Sequence, residues 1–106
     1  MRKAKVFVQS IEAGFLIELE KKYRYKFVYL DNYQGPPVSL TMPVEKVEYT
    51  FDVFPPVFDG LLPEGFQLEA LLRNLKIDKS DLFSQLVAVG GDLVGAVTVV
   101  EAEETT

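Results

Sequence analysis

Residues 54–66 read FPPVFDGLLPEGF, and this stretch separates two halves of the chain with different periodicities. It holds three of the six prolines, two of the seven glycines and three of the eight phenylalanines. Proline fixes φ and removes a donor, and glycine admits conformations closed to other residues, so regular structure should break here. The hydrophobic side chains on this broken backbone have three possible uses: a core plug, a binding ridge, or a turn between a sheet and a helix.

Upstream of the break the pattern is that of strands. Lys5-Val6-Phe7-Val8-Gln9 is a β-rich run, and Gly14 opens a second, Phe15-Leu16-Ile17-Glu18-Leu19-Glu20. That run sets Phe15, Ile17 and Leu19 on one face and Leu16, Glu18 and Glu20 on the other. A third run, residues 23–30, sets Tyr23, Tyr25, Phe27 and Tyr29 opposite Arg24 and Lys26. The short connections predict an antiparallel meander. Residues 31–46 carry Asp31-Asn32, Gly35-Pro36-Pro37 and Pro43, an irregular connection. Within it, residues 38–42 are expected to form an edge strand between prolines, and residues 48–51 a further short strand.

Downstream the pattern is helical. Leu68, Leu71, Leu72 and Leu75 recur at i, i+3, i+4 and i+7, one stripe of an amphipathic helix. Pro63 suits the first turn of that helix, and Glu64 complements its positive end. Ser80 is the expected N-cap of a second helix, with Leu82, Phe83, Leu86 and Val87 facing inward. Gly90-Gly91 should stop it through a left-handed cap. Residues 93–100 then read as a final strand, apolar on both faces and therefore expected to be well buried. Residues 101–106 form an acidic tail. The expected fold class is α+β: a small antiparallel β-sheet, made of an N-terminal meander and a C-terminal strand, with two or three helices from the second half packed on it.

Composition bounds the chemistry. The chain has 106 residues, 48% hydrophobic, the size and character of one globular domain. It contains no cysteine and no histidine, which removes thiol chemistry, disulfides, the commonest metal ligand and the usual near-neutral base. No apolar run approaches the ~20 residues of a membrane helix and no signal-type segment opens the chain, so a cytoplasmic location is expected. Residues 1–53 carry eight Lys or Arg against seven Asp or Glu, whereas residues 54–106 carry three against nine. A net charge of −5 argues against direct nucleic-acid binding.

Three local patterns suggest sites and fail on inspection. Gly90 and Gly95 have the spacing of a phosphate loop, but Ala96-Val97 stand where Lys and Ser or Thr are required. Glu101, Glu103 and Glu104 lie on the tail, with nothing to fix a metal geometry. Tyr25, Phe27 and Tyr29 resemble a base-stacking platform, yet the basic side chains fall on the other face, so a core face is expected. No catalytic, cofactor-binding or metal-binding residue is assigned. Phe66 is more informative, because it falls off the leucine stripe. It either packs under Pro55-Pro56 or stands exposed as an interface anchor, and Leu61 and Leu62 carry the same ambiguity.

At this point the residues resemble a known family. Phe58-Asp59-Gly60-Leu61-Leu62-Pro63-Glu64-Gly65 is similar to the "FFDNLLPEG" signature of the N-terminal subdomain of HipA-type toxin kinases. Ala13-Gly14-Phe15-Leu16 and Tyr25-Lys26-Phe27-Val28-Tyr29 resemble its early hairpin and aromatic strand. Pro37-Val38-Ser39-Leu40-Thr41-Met42-Pro43 is similar to its proline-bounded segment, and residues 82–97 resemble its ending. Two departures stand out: Gly60 replaces the usual Asn, and Gly91 stands where Arg is common. The kinase core of HipA is absent from these 106 residues, so the resemblance implies the fold and not the kinase activity. It implies a stand-alone HipS-like protein of a three-gene HipBST-type toxin–antitoxin system, residues 1–106 forming a single domain. The implied partners are a HipT-like Ser/Thr kinase, bound and inhibited directly, and a HipB-like helix-turn-helix protein that handles DNA. The expected partner-binding residues are Leu61, Leu62, Pro63, Glu64, Gly65 and Phe66. The alternative is an assembly subunit that completes or dimerises the kinase without inhibiting it.

Overall fold

The structure, a computed structural model, describes residues 2–92 and 96–102. Alternation in the first half builds strands β1 (Arg2–Val8), β2 (Ile11–Glu20), β3 (Arg24–Tyr29) and β4 (Glu48–Phe51). Helices α1 (Pro56–Asp59), α2 (Gly65–Leu75) and α3 (Leu82–Val89) follow, and strand β5 (Val97–Ala102) closes the described chain. All pairings are antiparallel, in the order β4-β3-β2-β1-β5. The fold is therefore α+β, with the meander and the returning last strand that the sequence predicts.

Tight turns set the meander's register. Gln9 and Ser10, at φ 52° and 68°, join β1 to β2 in the doubly left-handed conformation that suits strand twist. Gly14 is demanded by close approach, since a Cβ there would lie 2.2 Å from the Val28 carbonyl oxygen. One sheet face forms the core with Ala4, Val6, Leu16, Tyr25, Phe27 and Tyr29, and Val99 joins them from β5. Tyr23 falls outside this face, exposed in the turn before β3. Phe58 of α1 and Phe83 and Leu86 of α3 cover the face. Each such side chain contributes roughly 1.5–3 kcal/mol by leaving water.

Residues 38–42 form a turn, not the expected edge strand. The side chains that a strand would place on one face, Val38 and Met42, are instead drawn inward by Tyr29. The Tyr29 hydroxyl donates to the Met42 carbonyl and accepts from the Val38 N–H at 2.9 Å. Its ring stacks on Tyr33 at a centroid distance of 5.8 Å. Burial pushes the Tyr29 hydroxyl's pKa up, which keeps it a donor.

The helical half departs from expectation at its boundaries. Pro56 opens α1, a four-residue helix absent from the periodicity reading. Pro63 lies two residues before α2 and not in its first turn; Glu64 occupies the N-cap in an extended conformation without a side-chain cap bond. The N-cap of α3 is Asp81, one residue beyond Ser80. The helix end at Gly90 is not left-handed: φ is −59° and the chain tightens into a 3₁₀ turn over Gly90–Asp92. Gly90 is needed for contact instead, because a Cβ would sit 2.0 Å from the Val99 carbonyl oxygen.

The last strand is also corrected. β5 lies at the sheet edge beside β1, and only Val99 and Ala102 are buried. On the face opposite Val99, Val100 is exposed despite its apolar side chain. Glu101 and Ala102 belong to this strand and not to a tail. Residues 93–95 and 103–106, where the strand's start and the rest of the tail were expected, lie outside the described residues.

Candidate functional site

The turn is built from the core outward. Pro55 and Phe58 are buried, and the Phe58 ring lies 6.0 Å from that of Phe27. The Leu61 N–H donates to the Phe58 carbonyl at 3.0 Å, and the Leu62 N–H to the Asp59 carbonyl at 3.2 Å. These bonds carry the α1 turn forward and bring both leucines partly against the core. Pro63 is half-buried, and Glu64 and Gly65 are exposed. Gly65 has φ +59° with nothing within 4 Å of a built Cβ, so backbone conformation and not space selects glycine there.

Phe66 follows at once, and 89% of its surface is accessible. It does not pack under Pro55-Pro56. The six expected site residues thus divide: Leu61 and Leu62 pack against the protein's own core, Pro63 is half-buried between, and Glu64, Gly65 and Phe66 face water. Behind Phe66, α2 buries no residue. Leu68, Leu71 and Leu72 are half-buried and Leu75 is 53% exposed, so the predicted stripe faces the body without entering the core. Lys76, left-handed at φ 55°, ends the helix and donates its N–H to the Leu72 carbonyl. The face opposite the leucines carries exposed Ala70 and Arg73 beside Phe66. The leucine periodicity concealed these two; their signal was the spacing 66, 70, 73.

The other polar constellation is internal. Arg2 makes two 2.8 Å bonds to Glu18 and a 2.8 Å bond to Asp81, and its guanidinium lies 4.8 Å from the Phe83 ring centre. Asp81 also caps α3, accepting from the Ser84 N–H at 3.2 Å and from its hydroxyl at 2.7 Å. Burial pushes the Asp81 carboxyl's pKa up, but bonds from Arg2 and Ser84 outweigh it and hold the value at about 2. The hydrogen bond to Glu18 raises Arg2 further above its already high value, against burial and with help from Asp81. Glu18, only 5% exposed, is thus the inward-facing acid of β2. Every charge here is answered within the protein, which makes the group a clamp between sheet and α3. Among the described residues, no buried side-chain polar atom lacks a partner and no cluster of three metal-ligating side chains forms. No helix among them is long and apolar enough to cross a membrane.

Residues 4–100 match the family model of the HipA N-terminal domain. The chain belongs to the HipA N-terminal domain family. It is similar to a solved structure described as the N-terminal domain of HipA toxin, with a TM-score of 0.76 and 30% identity. That match covers 99% of this chain and 96% of the other. It is also 34% identical over 104 residues to an "Uncharacterized protein" of Haemophilus influenzae, covering 98% of this chain and 96% of that one. The HipA-type resemblance read from the motifs is therefore the family relationship. It makes this chain a module of toxin–antitoxin type, related to a domain of the HipA toxin.

Proposed function

We propose that this HipA N-terminal-domain protein is a non-catalytic antitoxin module that binds a HipT- or HipA-like Ser/Thr kinase in the cytoplasm and holds it inactive. The observation that carries the reading is Phe66, a large aromatic side chain left 89% exposed immediately after a rigid turn. So large an exposed aromatic surface is the kind of side chain that dominates interface energies when a partner buries it. Leu61, Leu62 and Pro63 support the turn from below, and Glu64, Gly65 and Phe66 meet the kinase. The block is steric: Phe66 fills an apolar site at the kinase cleft, and Glu64 answers a basic group near the phosphate site. A HipB-like helix-turn-helix protein supplies DNA binding in the same complex, a role for which a chain of net charge −5 is poorly suited.

The test is kinase autophosphorylation, and growth arrest, with and without this protein. Phe66→Ala and Phe66→Asp should keep the thermal midpoint and lose inhibition. Undiminished inhibition by both variants overturns the anchor role. Tight binding by the unaltered protein with no effect on the kinase points to an assembly subunit instead.

A further inference from the structure

α2 presents two faces, and only one of them turns towards its own protein. At about 100° per residue, positions 66, 70 and 73 lie within roughly 60° of one another, and 66 and 73 are about 10 Å apart along the axis. Phe66, Ala70 and Arg73 are all exposed and lie opposite the half-buried leucines. Their chemistry is graded along the ridge: an aromatic at one end, a side chain small enough to admit close approach in the middle, a guanidinium at the other.

Arg73 differs from the other two arginines. Arg2 reaches Glu18 and Asp81 at 2.8 Å, and Arg24 reaches Glu20 at 3.5 Å. Among the described residues no carboxylate lies within ion-pair distance of Arg73, although Glu69 stands one helical turn before it. A rigid fork of donors on an exposed helix is suited to bidentate capture of a carboxylate from another molecule.

We infer that Phe66, Ala70 and Arg73 form one docking ridge whose occupant is the cleft of the partner kinase, with a carboxylate of that cleft receiving Arg73. This rests on the kinase-binding reading and extends it from the turn to two further turns of helix. Ser/Thr kinase clefts concentrate carboxylates, because one acts as base and another holds magnesium. Arg and aromatic residues are also the side chains that most often dominate interface energies.

The experiment measures affinity for a purified HipT-type kinase by calorimetry, with and without magnesium and ATP, and the mass of the free protein by sedimentation. Arg73→Glu and Ala70→Trp should each weaken binding tenfold or more with unchanged thermal midpoints. Arg73→Lys should recover part of the loss, and magnesium–ATP should compete with the unaltered protein. Normal binding by both Arg73→Glu and Ala70→Trp overturns the ridge and leaves the kinase-binding reading intact. Binding unaffected by magnesium–ATP overturns the cleft as occupant. Self-association of the free protein that Arg73→Glu abolishes, with kinase binding unchanged, assigns the ridge to a second copy and overturns the inference. Absence of any binding by the unaltered protein overturns both readings.

Discussion

Helices α2 and α3 are neighbours in the chain and are held in opposite ways. α3 has eight residues, a capping aspartate bonded to Ser84, and Phe83, Gln85 and Leu86 buried. The Gln85 amide donates to the carbonyls of Asp78 and Lys79, so its one buried polar side chain is also answered. α2 is longer, at eleven residues, yet has an N-cap without a side-chain bond and buries nothing. Isolated helices of this length are marginal in water, and tertiary packing is normally what holds them. The difference teaches that the longer helix is the less anchored one, its order borrowed from its two ends: the α1 turn before it and the Lys76 cap after it.

The contrast can be broken at four points. The largest effect is expected from Gly90→Val, which forces a side chain onto the β5 backbone where α3 meets the sheet. It should cost upwards of about 4 kcal/mol, and chemical denaturation should find little native protein. Arg2→Ala is next. It strands Glu18 and Asp81 without their cation and should cost roughly 3–5 kcal/mol by the same measurement.

A paired truncation measures the contrast itself. Leu86→Ala in α3 should cost about 2–5 kcal/mol, whereas Leu71→Ala in α2 should cost under about 1.5 kcal/mol. Equal losses would show that α2 is as firmly packed as α3. The smallest effect concerns acid. Asp81 is depressed to about 2, so its contribution is fully present above its unfolded value near 4 and is lost as pH falls towards 2. Urea midpoints measured across that window should fall less steeply in Asp81→Asn, which has no carboxylate there to protonate.

Much of this was legible in the chain itself. Alternation located the first three strands, and the leucine spacing located α2, because both patterns are local. What escaped reading depends on partners distant in sequence. Phe15, Ile17 and Leu19 are the apolar face of the run over residues 15–20, yet Leu16 and Glu18 on the opposite face are the ones buried. Glu18 turns inward because the Arg2 guanidinium bonds it there at 2.8 Å, and Lys3 lies 5.6 Å over the Phe15 ring on the outer face. α1 was hidden because Pro55-Pro56 signal a break, while the second proline is also the start of a short helix. For the candidate site, the exposure of Phe66 was left open by the sequence, since being off the stripe says where a side chain is not. The apolar composition of β5 suggested burial on both faces; its edge position follows from topology, which composition does not carry.

The sheet order has a consequence for synthesis. β1 sits between β2 and β5, so it lacks one neighbour until residues 97–102 have been made. At 5–20 residues per second, that interval is roughly 5 to 20 s. Through it, Ala4, Val6 and Val8 await Val97 and Val99, and one edge of β1 stands open to any other nascent strand. Cooperative closure must therefore come late, and a ribosome-bound chain lacking its last strand should engage chaperones that the finished protein ignores.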